Sequence, residues 1–124
     1  MTLLLVMLGA AVGAPSRWLL DQAVHARYGG AFPLGTFVIN VSGSVLLGGI
    51  LGTAGVGALP AGAVALAGTG FCGGFTTYST FSFETLRLLE DGSGTEAALN
   101  VALSLGLGLA GALAGFWVAQ SLLG

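Results

Sequence analysis

The stretch GFCGGFTTYSTFSFE, residues 70–84, decides how this chain is read. It carries three glycines, five aromatic rings, and five Ser or Thr hydroxyls within the seven positions 76–82, and it joins two strongly apolar regions. The rest of the sequence sets its environment. The 124 residues are 55% hydrophobic and only 6% charged, whereas a soluble domain carries about 25% charged residues. A very apolar soluble core would still need a charged shell, and that shell is missing. The composition therefore predicts an all-α integral membrane protein. One crossing takes about 20 mostly apolar residues, so the length allows about four.

Punctuation divides the chain into one membrane domain, 1–124, with spans at about 3–20, 34–51, 61–89 and 97–123. The connections are the polar stretch 21–30, the Gly/Ala-rich GTAGVGALP (52–60) and the loop EDGSGTE (90–96). Residues 1–18 resemble a signal peptide, with Val12-Gly13-Ala14 as its cleavage site. They lack a basic leading region and three equally apolar segments follow, so they are read as a retained first span.

The third span is about 29 residues long, too long for one straight crossing and too short for two. Gly68, Gly70, Gly73 and Gly74 lie in its middle, each weakening a helix by up to about 1 kcal/mol relative to Ala. A break near 70–76 would free backbone groups that lipid does not tolerate, and broken membrane helices build ion sites in this way. A plain glycine kink explains the same residues, and the pattern alone leaves both readings open. The pairs Gly9/Gly13, Gly48/Gly52, Gly70/Gly74 and Gly111/Gly115, each four apart, let helix backbones approach closely and argue for a tight assembly, an oligomer, because four helices enclose little interior.

Single Ser or Thr residues in membrane helices usually bond back to their own backbone. Five in seven positions exceed that habit. At helical spacing Phe75, Tyr78 and Phe81 form one aromatic face, while Thr76 and Thr80 share another. Asn40 is the one strongly polar side chain inside the second span, and its carboxamide offers two donors and an acceptor. Its plainer role is an interhelical hydrogen bond worth about 1 kcal/mol. Arg17 either lies at depth or snorkels to the interface. Hydroxyls, an amide and a guanidinium together suggest a path for a small anion, which can also meet aromatic rings at their positive edge. The middles of spans one, two and four hold no acid, which disfavours a cation pore or a carboxylate proton relay. The formal charge of −2 is too small to imply nucleic acid. A lone Cys72 forms no intramolecular disulfide, and no Cys/His cluster suggests a metal site.

Three motifs in order, Gly9-x-x-x-Gly13-Ala14-Pro15-x-Arg17, GTFVINVSG (35–43) and GFCGGFTTYSTF (70–81), resemble the Fluc (CrcB) family of microbial fluoride channels over essentially the whole chain. The resemblance implies a passive, fluoride-selective channel of the bacterial inner (plasma) membrane that exports cytoplasmic fluoride. It implies four spans per subunit with the third broken mid-membrane, in an antiparallel, dual-topology homodimer with two pores. A structural Na+ at the dimer centre would be held by backbone carbonyls, by position those of Gly73 and Gly74. Asn40 would donate to fluoride, with the aromatic pair Tyr78 and Phe81 and with Ser79 and Thr80 beside it. Thr36 and Ser104 would continue a polar track, and Arg17 matches the family's first-span arginine. The family usually has phenylalanine at both aromatic positions. Here the first is Tyr78, which keeps the ring edge and adds a hydroxyl.

The three arginines fall on or toward the side of the first and third loops, too slight a bias to fix one orientation. A fixed-orientation pair with a second subunit therefore stands beside the dual-topology dimer. Two other classes compete. A small four-helix multidrug exporter needs a buried carboxylate in its first span, and residues 3–20 hold none. A non-conducting scaffold leaves the polar cluster of the third span unused. No nucleophile–base pair suggests an enzyme.

Overall fold

The computed structural model describes residues 1–30 and 32–124, and the described residues fold into helices joined by short turns. Helix α1 spans Thr2–His25 and α2 spans Leu34–Gly55. A composite segment follows: α3 (Ala61–Ala63), a π-helical stretch (Val64–Cys72) and α4 (Gly73–Phe75). Helix α5 covers Tyr78–Glu90 and α6 covers Gly94–Leu123. Among the described residues, α1, α2 and α6 are each long and apolar enough to cross a membrane. Large side chains such as Leu4, Trp18, Leu109 and Trp117 are exposed along them, as lipid-facing residues are. The protein is a multi-pass membrane protein.

The helix ends follow local chemistry. Two helices stop in the same way, with a glycine in the left-handed region just past the end. Gly57 (φ 78°) follows α2 and Gly92 (φ 80°) follows α5. In the first, Gly57 N donates to Ala54 O and Ala58 N to Thr53 O; in the second, Gly92 N donates to Leu89 O and Ser93 N to Leu88 O. These double closures use carbonyls that the helix end leaves free. Helix α1 runs through Pro15 and on to His25, so Asp21 lies on the helix and not in the connection that the sequence suggested.

The four spaced glycine pairs meet each other inside the chain. A Cβ at Gly70 would lie 2.7 Å from Val6 O and 3.0 Å from Gly9 Cα, and one at Gly74 would lie 2.9 Å from Ala10 Cα. From the other side, Gly9 and Gly13 face the backbone of residues 66–75. Gly48 and Gly52 press on Ala112 and Phe116 of α6, while Gly111 and Gly115 press on Val45 and the backbone at Gly49. Two seams result, α1 on the π-helical stretch and α2 on α6. Close backbone approach gives packing and weak hydrogen bonding their reach where lipid supplies no hydrophobic drive. These pairs are therefore used within one chain, and their spacing carries no argument for an oligomer.

Candidate functional site

The helical backbone gives way at Thr76 and Thr77, not at the glycines. Gly68, Gly70, Gly73 and Gly74 all lie in helical segments. Thr76 is extended (φ −81°, ψ 160°), and so is Thr77 (φ −147°, ψ 123°), before α5 begins. Gly70 and Gly74 act by close packing against α1, and two threonines, whose branched Cβ suits extended backbone, carry the break.

Several of the backbone groups freed at the break have new partners. Thr76 N and Thr76 Oγ1 both donate to Cys72 O, at 2.9 and 2.8 Å. Thr77 is the N-cap of α5: its Oγ1 accepts from Thr80 N at 3.2 Å, as a threonine cap does. The backbone of Thr77 is held by Asn40 at two points. Asn40 Nδ2 donates to Thr77 O at 2.9 Å, and Thr77 N donates to Asn40 Oδ1 at 2.9 Å. The partners fix which way the amide faces, because the carbonyl needs a donor and the N–H an acceptor. In a continuous helix Thr77 N would serve Gly73 O. Diverted to Asn40, it leaves that carbonyl without its helical donor.

Beside the break lies a groove of about 720 Å³, bordered by Asn40, Gly73, Thr76, Tyr78, Phe81 and Ser104 among others. The Tyr78 and Phe81 rings lie 6.2 Å apart, centroid to centroid, at 40°, and Tyr78 is 79% exposed. Phe75 does not join them. It stacks on Phe71 at 5.5 Å and 13°, because the break ends the three-residue helical spacing before Tyr78. Several hydroxyls are already engaged as donors: Thr76 to Cys72 O, Ser44 to Asn40 O at 2.8 Å, and Ser104 to Asn100 Oδ1 at 3.3 Å. The second Nδ2 proton of Asn40 is left over from the Thr77 pairing.

The family model described as "CrcB-like protein, Camphor Resistance (CrcB)" matches residues 4–116. The chain belongs to the CrcB family. It is 51% identical to "Fluoride-specific ion channel FluC 1" of Streptomyces avermitilis over 98% of both chains. It is 56% identical to the protein of the same name in Frankia casuarinae over 85% of both, and 46% identical to "Fluoride-specific ion channel FluC" of Geobacter sulfurreducens over 98% of both. The family read from the three motifs is thus borne out by similarity along nearly the whole chain.

For a CrcB chain, the residues singled out by sequence divide into two groups. Asn40, Gly73, Tyr78, Phe81 and Ser104 border the groove. Thr36, Ser79, Thr80, Arg17 and Gly74 are not among its lining residues. Thr36 is 3% exposed near the start of α2. Thr80 Oγ1 accepts from Thr77 Oγ1 at 3.1 Å, within the cap of α5. Gly74 faces Ala10 of α1. Arg17 is half-buried, with its Nε enclosed and without a hydrogen-bond partner among the described residues. Sequence reasoning missed Asn100, which is fully buried, and Thr85, to which it donates at 2.8 Å. The available signal was a carboxamide early in the fourth span, four residues before Ser104 and so on the same helix face.

Proposed function

We propose that this chain is a fluoride-selective passive ion channel of the bacterial inner membrane that lets cytoplasmic fluoride leave. The observation that carries the reading is the similarity to proteins named fluoride-specific ion channels over 98% of the chain. The groove supplies chemistry that suits it. Fluoride accepts hydrogen bonds and donates none, and it is strongly hydrated, so a path must replace its water with donors while binding weakly enough for release. The free Nδ2 proton of Asn40, the Tyr78 hydroxyl and the positive ring edges of Tyr78 and Phe81 are such groups. Ser104, with a 3.3 Å bond to Asn100, is the most easily released of the engaged donors. Ser79, Thr80 and Thr36 extend the polar track, and Arg17 adds positive potential. At acidic external pH, HF crosses lipid and ionises inside, and the channel returns the trapped anion.

In this reading α1, α2, the interrupted segment from Ala61 to Glu90, and α6 are the four spans. Two copies pair antiparallel in dual topology. A structural Na+ at the dimer centre would be held by the backbone carbonyls of Gly73 and Gly74. The Gly73 carbonyl suits a hard cation: it is a neutral oxygen, it has lost its helical donor to Asn40, and a Cβ at Gly73 would meet nothing within 4 Å. Bound there, the ion would supply fixed positive charge and tie the two breaks together. Protein in sealed liposomes, with a fluoride electrode outside, tests the reading: fluoride leaves and chloride stays. Absence of fluoride efflux rejects it.

A further inference from the structure

Two residues that border the groove, Ser104 of α6 and Phe81 of α5, are joined by a chain of hydrogen bonds running behind it. Ser104 Oγ donates to Asn100 Oδ1 at 3.3 Å, Asn100 Nδ2 donates to Thr85 Oγ1 at 2.8 Å, and Thr85 Oγ1 donates to Phe81 O at 2.8 Å. Every donor points the same way, from Ser104 toward Phe81. Asn100 has no exposed surface and does not border the groove. A carboxamide buried so completely is costly unless its groups are paired, and here both its carbonyl and its amine have partners.

We propose that Asn100 is a positioning residue for the groove, acting through Thr85 to hold the Phe81 turn of α5 against α6. Thr85 bonds back to the carbonyl four residues earlier, which fixes its hydroxyl proton and turns a lone pair toward Asn100. The interhelical bond is thereby anchored one turn beyond the Phe81 ring. Its geometry matters because α5 starts afresh after the break: its register is set by the Thr77 cap at one end and by Asn100 farther along. The same amide accepts the Ser104 proton, so that hydroxyl shows oxygen lone pairs to the groove until a stronger acceptor draws the proton out.

The proposal rests on the fluoride reading only for one of its two readouts. Full-length protein is prepared with Asn100→Leu, Thr85→Val, Thr85→Ser and the double change Asn100→Leu/Thr85→Val. Fluoride efflux from liposomes is measured alongside backbone hydrogen exchange over residues 78–85. Thr85→Val keeps the shape and removes the hydroxyl. It and Asn100→Leu are expected to speed exchange in that turn and to cut efflux roughly tenfold. Thr85→Ser retains wild-type behaviour, and the double change is no worse than the stronger single one, because both act through one chain. If Asn100→Leu fails to fold, the Thr85 pair still decides. Thr85→Val matching wild type, Thr85→Ser falling as far as Thr85→Val, or additive losses in the double change would each overturn the proposal. Should the wild type pass no fluoride, the channel reading falls, and the exchange data alone judge Asn100.

Discussion

Asn40 and Thr77, 37 positions apart in the chain, pair as two strands of a sheet do, with one carboxamide taking the place of a backbone peptide: Nδ2 to Thr77 O and Thr77 N to Oδ1, both at 2.9 Å. This pairing closes the break in the third segment from the side of α2. Asn40→Asp keeps the size and replaces the donor with a carboxylate oxygen facing the Thr77 carbonyl. Leaving a buried group unsatisfied costs about 1–3 kcal/mol, and a negative charge there also repels an anion. Efflux of fluoride is expected to fall at least about tenfold, with the protein still eluting as an assembled species by size exclusion. Normal efflux from this variant would remove Asn40 from the path.

Phe81 and Tyr78 present their rings to the groove at a 6.2 Å separation. Phe81→Ile keeps apolar bulk and removes the ring edge, so fluoride flux should drop while thermal stability in detergent shifts little. Tyr78→Phe removes only a hydroxyl from a side chain that is 79% exposed. It should preserve conduction within about tenfold, as the loss of one hydrogen bond in water-accessible surroundings is worth only about 0.5–1.5 kcal/mol.

The glycines separate by what stands opposite them. Alanine at Gly70 drives a methyl to 2.7 Å from Val6 O, whereas alanine at Gly73 meets nothing within 4 Å. Thermal unfolding in detergent should show Gly70→Ala destabilised by about 1–3 kcal/mol or more through overpacking. Gly73→Ala should lose much less, since no atom of the same chain opposes its methyl and helix propensity favours Ala by up to about 1 kcal/mol.

Composition alone gave the membrane class, and motif order gave the family, because both are written in residue identity. The helix interruption was legible as a region but not as a position. Four glycines drew attention to residues 68–74, yet propensity says nothing about what packs against a backbone, and α1 lies against Gly70 and Gly74. The break at Thr76 and Thr77 depends on Asn40, a partner on another helix. The aromatic face failed for the same reason: Phe75, Tyr78 and Phe81 are three apart only if the helix is continuous. Asn100 is one letter in an apolar run, and its burial and both of its partners come from tertiary packing.

The central claim is selective, passive fluoride conduction. Liposomes loaded with equal potassium fluoride and potassium chloride, with valinomycin added to carry the counter-charge, test it most directly. The account predicts rapid protein-dependent fluoride release that requires valinomycin, with chloride retained at the protein-free level. Fluoride release no faster than from empty liposomes, or chloride release at a comparable rate, would contradict it.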